Sequence, residues 1–175
     1  MKLRIKPIAI TALVTATLLF GGWFAYRIVA MERPMNDLLA AIEGVEEYET
    51  VLGSDQVTLN LVLSNQANIR EIVHTIKREA GSVIGNKELV FHLESNTSPE
   101  LEEWWSSALF DVAEAMETRT YSAIPEKLME KAAPGMNVNT WMDDEYVYVA
   151  LTLEGHAKFI LLPRTPVQLG VWSGE

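Results

Sequence analysis

Residues 8–26, IAITALVTATLLFGGWFAY, contain no charged side chain. At 1.5 Å rise per residue such a run extends about 28 Å as a helix, close to the roughly 30 Å hydrocarbon core of a bilayer. Beyond it the hydrophobic period changes repeatedly. After Asn36, a helix-capping residue type, Leu38, Leu39, Ile42 and Val45 recur at helical spacing and predict a short helix stopped by Gly44. YETVL then reads as a short strand, GSD as a turn, and VTLNLVL as a strand with Val57, Leu59, Leu61 and Leu63 on one face. Asn68 caps the next helix, whose apolar stripe is Ile69, Ile72, Val73, Ile76, Ala80, Val83 and Ile84, and Gly85 ends it. ELVFHLE is a further strand with Leu89, Phe91 and Leu93 inward.

In the second half, Ser98, Pro99 and the acids after them form a helix start. Leu101, Trp105, Ala108, Leu109, Val112 and Met116 supply its buried stripe. A second helix runs from near Pro125 to Ala133 and closes on Pro134-Gly135. Three strands follow, in MNVNTWM, EYVYVALTL and HAKFILL, joined by tight turns at Asp143-Asp144 and at Gly155. These elements predict an α+β fold: one N-terminal transmembrane helix, then a single small sheet, antiparallel or mixed, of about five or six strands with helices mainly on one face. The order helix–strand–strand–helix–strand over residues 37–94 resembles the small ferredoxin-like modules attached to many membrane proteins. That resemblance implies a ferredoxin-like first half and carries no functional residue with it.

The apolar run is read as a retained anchor. A signal-peptide core is shorter, and its cut needs small residues at −3 and −1. Cleavage after Ala25 would place Trp23 at −3, and cleavage after Ala30 would place Ile28 there. Lys2, Arg4 and Lys6 precede the span, Arg27 and Arg33 follow it with Glu32 between, and the next segment is acidic; this bias puts the N-terminus in the cytoplasm. Trp23 and Tyr26 suit the outer headgroup layer. The chain therefore divides into residues 1–33, a cytoplasmic tip and signal anchor with its span at about 8–26, residues 34–163, an extracytoplasmic α+β domain, and residues 164–175, a mobile C-terminal tail. Within the span Thr17, Gly21 and Ala25 recur every fourth residue, a spacing that lets two helices approach closely and predicts a homodimer contact.

The formal charge is −10. Residues 1–33 hold five basic side chains and one acidic, which leaves 9 basic against 23 acidic residues, near −14, for the remainder. Such a surface repels phosphate backbones, so nucleic acid is excluded as a partner. There is no cysteine, hence no disulfide, thiolate zinc site or thiol nucleophile.

Candidate chemistry is sparse. His74, His92 and His156 lack metal-ligand spacing, and His74 stands beside Arg70, Lys77 and Arg78, which repel a cation. Glu100, Glu102 and Glu103 sit where a helix N-terminus favours anions, and Asp143, Asp144 and Glu145 sit in a hairpin turn. No nucleophile elbow or phosphate-cradling loop occurs. We therefore assign no catalytic, cofactor-binding or metal-binding residue. Trp104 and Trp105 point about 100° apart on their helix, so Trp105 joins the core stripe while Trp104 lies at its margin. Trp104 is either an exposed anchor for a protein partner or is covered by the following helix; Phe110, off to the other side, is the second candidate contact. The function expected from these features is a membrane-anchored, non-enzymatic module for protein–protein contact outside the cytoplasm. The alternatives are an extracytoplasmic sensor domain for a small ligand or divalent cation and, third, a hydrolase whose site is assembled from distant residues.

Overall fold

The computed structural model describes the backbone of residues 5–165 and the side chains of residues 10–26 and 29–165. Helix α1 (Ile5–Arg27) is the apolar run, and its large side chains, Leu13, Phe20 and Trp23 among them, are exposed. It is long and apolar enough to span a membrane. The chain stays helical beyond α1, through a π-helical turn, Ile28–Glu32, into α2 (Arg33–Ala40). Pro34 falls in the first turn of α2, where its missing N–H costs least, and the wider π turn precedes it. Asn36 is consequently inside α2 and caps nothing; its Oδ1 accepts from the Thr50 hydroxyl at 3.5 Å.

Strands β1 (Val45–Leu52) and β2 (Gln56–Leu63) pair antiparallel, and α3 (Ile69–Ile84) returns the chain to β3 (Glu88–Ser95), which lies parallel to β2. The elements after them are α4 (Pro99–Glu117), α5 (Ala123–Lys131), β4 (Asn137–Met142), β5 (Tyr146–Leu153) and β6 (His156–Pro163). Sequence cues at the helix starts hold: the Asn68 side chain accepts from the Glu71 N–H, and Ser98 from the Leu101 N–H. The β5–β6 turn places Glu154 and Gly155 at φ 50° and 81°, the left-handed pair of a two-residue hairpin.

The strands do not form the single sheet expected. They make two three-stranded sheets, β1-β2-β3 and β4-β5-β6. The two sheets are bonded to each other at a corner, where the Ala157 N–H donates to Asn96 O at 3.0 Å and the Ser95 hydroxyl donates to Ala157 O at 2.8 Å. Just beyond that corner the chain turns into α4, so the ladder goes no further. The ferredoxin-like arrangement is not reproduced either: β2 and β3 are direct parallel neighbours, whereas the split βαβ of that module interleaves a strand between its parallel pair.

Helices also cover both faces of the second sheet. Tyr148, Ala150, Ala157 and Phe159 join the core that β2, α2 and α3 form. Val147, Val149 and Leu151 point the other way and pack with Leu101, Trp105, Val112, Ile124 and Leu128 of α4 and α5. Strand β5 is thus buried from Val147 through Leu151 on both sides, which is why its sequence is continuously apolar there.

Candidate functional site

Trp104 and Phe110 part company in the fold. Trp104 is half-buried against the α4–α5 core, and its indole N–H donates to Lys131 O at 2.8 Å, tying the end of α5 across α4. Phe110 is 80% exposed, with Leu109 and Met129 also exposed on the helical layer. Thr17, Gly21 and Ala25 lie in α1; the Thr17 hydroxyl bonds back to Leu13 O at 2.9 Å, and a Cβ at Gly21 would meet nothing within 4 Å.

Sequence reasoning missed a polar knot where α3 docks on the β4–β5 turn. Asp143 Oδ1 accepts from the backbone N–H of Glu145 (2.8 Å) and of Tyr146 (2.7 Å). Its Oδ2 accepts from the Tyr148 hydroxyl at 2.5 Å and lies 2.9 Å from His74 Nε2. Around this carboxylate Lys77 pairs with Glu145 and covers the Tyr146 ring at 4.4 Å. Arg164 donates to Asp143 O at 2.7 Å and stacks on Tyr121 at 4.7 Å. Residue 164, placed by sequence in the tail, is therefore bound to the domain; residues 166–175 of that tail lie outside the described residues. Burial opposes the charge on Asp143, but the Tyr148 hydroxyl, the two backbone N–H groups and His74 outweigh it and hold the carboxyl at about 2. Burial, and then the Asp143 charge, push the Tyr148 phenol well above its ordinary range. A carboxylate with such a low pKa and both oxygens engaged is a poor proton acceptor at neutral pH, so the knot acts as a strut.

Two acids on α4 also have partners. Both Glu102 oxygens accept from Lys158 at 2.8 Å, and that bond holds the Glu102 carboxyl below its usual range. Asp111 pairs with Lys131 and Lys127. His156 Nδ1 faces Asn96 O at 3.2 Å, and His92 is exposed on the outer face of β3. Among the described residues no three His, Cys, Asp or Glu side chains are grouped to hold a metal ion.

The feature with binding geometry is β4. Among the described residues it is an edge strand, paired only to β5. Asp143 and Tyr146 bond as a ladder pair (Asp143 N–H to Tyr146 O, 3.0 Å), so by alternation the N–H and C=O groups of Val138, Thr140 and Met142 point away from β5. The edge has no charge and no proline. The outer strand β1, by contrast, carries Glu46, Glu47 and Glu49. Hollows flank β4 on both sides. On the α5 side, about 280 Å³ is bounded by Tyr121, Ile124, Pro125, Thr140, Met142 and Val147, mostly apolar. On the α3 side, a cleft of about 350 Å³ runs between the β2–α3 loop and the sheet, lined by carboxamides and by Phe159. A smaller hollow extends it past His74, and Trp141 borders all three. No protein-family model and no curated protein matches the chain.

Proposed function

We propose that this chain is a single-pass, membrane-anchored domain, held outside the cytoplasm, that works without catalysis by binding an extended segment of another protein along the free edge of β4. The observation that carries this reading is that edge. An unpaired strand edge offers backbone donors and acceptors that a partner strand satisfies, and proteins ordinarily guard such edges with charge, proline or a bulge. β1 has that guard and β4 lacks it. Alternate side chains of an added strand would fall into the hollow bounded by Met142 and Ile124 and into the cleft beside Trp141, which is how strand addition gains specificity. The anchor is supported by α1: it is apolar all round, its large side chains are uncovered by the rest of the fold, and it is long enough to cross a bilayer. Phe110 is the natural second contact for such a partner.

The test is a photo-crosslinking side chain at Met142 in intact cells, with and without Thr140→Pro. Proline at 140 removes an outward N–H and leaves the β4–β5 bonds intact. Adducts at Met142 that vanish with Thr140→Pro, while the melting temperature stays within a few degrees, support edge binding. Adducts of equal yield in both forms refute it.

A further inference from the structure

We infer that the cleft on the α3-facing side of β4 is a binding site for a neutral saccharide, with a sugar ring against Trp141 and its hydroxyls met by carboxamides. Side chains stand in rows across the second sheet. Asn137, Thr152 and Ala157 stand in one row; Asn139, Ala150 and Phe159 in the next; Trp141 and Tyr148 follow. The small Ala150 between Asn139 and Phe159 makes the floor concave. The facing wall is the β2–α3 loop with Gln66 and Asn68, and the Asn65 amide donates to Gly155 O, fastening this wall to the β5–β6 turn. Floor and wall are thus set before any ligand arrives.

The lining is unusual for this chain. A domain near −14 has here a cleft without one ionisable side chain. Gln66, Asn137, Asn139 and Thr152 make no side-chain hydrogen bond among the described residues, so their donors and acceptors are available. Asparagine is also disfavoured in strands, yet β4 places it twice on the cleft face. Solubility alone would be served by threonine or lysine at lower local cost.

Elimination by chemistry then narrows the ligand. Arg70, Glu71 and His74 border only the hollow that continues the cleft past Trp141; beside the carboxamides themselves a cation finds no carboxylate and a carboxylate no cation. An apolar ligand would strip water from amides it could not bond. Nucleotide phosphates are repelled by the domain's charge. A polyhydroxylated neutral ring matches: each hydroxyl both donates and accepts, as each carboxamide does, and the C–H face of the ring packs on an aromatic. A volume of about 350 Å³ falls in the small-ligand range. An added strand would also place side chains in this cleft, so the two ligands compete for it; the saccharide needs only side chains on one face of β4, whereas the strand needs the outward backbone of Val138, Thr140 and Met142, so Thr140→Pro separates the two.

The experiment is calorimetric titration of the full chain, in a detergent without a sugar headgroup, with cellobiose, N,N′-diacetylchitobiose, digalacturonic acid and an uncharged peptide of alternating Ser and Val. Saturable binding of at least one neutral disaccharide is expected, with digalacturonic acid weaker by tenfold or more. Asn139→Val, which suits a strand and so preserves the fold, should weaken binding about 3–10-fold. Trp141→Ala should weaken it by about tenfold or more. Thr140→Pro should leave it unchanged. No saturation by either neutral disaccharide up to about 20 mM, equal affinity in Asn139→Val, or saturation by the peptide alone would overturn the assignment.

Discussion

Replacing Asp143 by asparagine keeps the shape of the β4–β5 turn and removes the charge on which four hydrogen-bonding groups converge. The carboxyl stands at about 2 in the fold against an ordinary 3.8. That difference is worth about 2 kcal/mol of stability at neutral pH, since one unit corresponds to about 1.4 kcal/mol. The side chain is only 17% exposed, so solvent screening removes little of this. Because the folded value lies below the unfolded one, the contribution is complete above the unfolded pKa and is lost as pH falls through the folded pKa. It is about halved by pH 3 and nearly gone at pH 2. Thermal unfolding of the detergent-solubilised chain, followed by circular dichroism from pH 7 downward, reads this directly. At pH 7 Asp143→Asn should melt roughly 6–10 °C lower than the parent. The gap should close steadily below pH 4. Tyr148→Phe removes the donor of the shortest of these bonds, and the double variant should cost less than the two single costs added. A gap of constant size from pH 7 to pH 3, or full additivity with Tyr148→Phe, would refute a stabilising carboxylate at this position.

Three further outcomes follow from the same packing. Trp104→Phe removes the indole bond to Lys131 O and should cost about 1 kcal/mol of stability by thermal melting. Phe110→Ser, at an exposed position, should change stability by less than about 0.5 kcal/mol while weakening capture of a protein partner. A Cβ at Gly21 meets nothing within 4 Å, so Gly21→Leu should leave the monomer intact and abolish chemical crosslinking of two copies within the membrane; persistence of the dimer would remove Thr17, Gly21 and Ala25 as its contact.

What the sequence disclosed was whatever is written in local period. Ile69 to Ile84 shows its helix because the buried stripe and the Asn68 cap lie within sixteen residues of each other. β2 shows itself by strict alternation. The division into two sheets is not local: it depends on where the chain leaves β3 for α4, and no periodicity records which strand edges meet. The clue that β5 is covered twice was present, since Val147, Val149 and Leu151 alternate with the equally apolar Tyr148 and Ala150. Such a run belongs to a strand between two layers rather than to one with a wet face. The Asp143 knot was half legible. A hairpin aspartate bonding its own backbone is a turn habit, but His74 lies 69 residues away and Lys77 pairs with a residue 68 away. The cleft was hidden for the same reason. Asn65 to Asn68 reads as a strand break and a helix cap, and Asn137 and Asn139 as part of a strand, and only the packing of α3 on the second sheet sets them opposite one another.

The proposed placement of the domain outside the cytoplasm underlies both ligands proposed for it. The chain has no cysteine, so a single introduced thiol reports its own side of the bilayer without background. With Glu130→Cys, at an exposed position on α5, a membrane-impermeant maleimide applied to intact cells should label the protein at the mass of the uncut chain. With Lys2→Cys it should label only after the cells are permeabilised. Labelling of Lys2→Cys but not Glu130→Cys in intact cells, or a labelled product shortened by the length of the apolar run, would contradict the account.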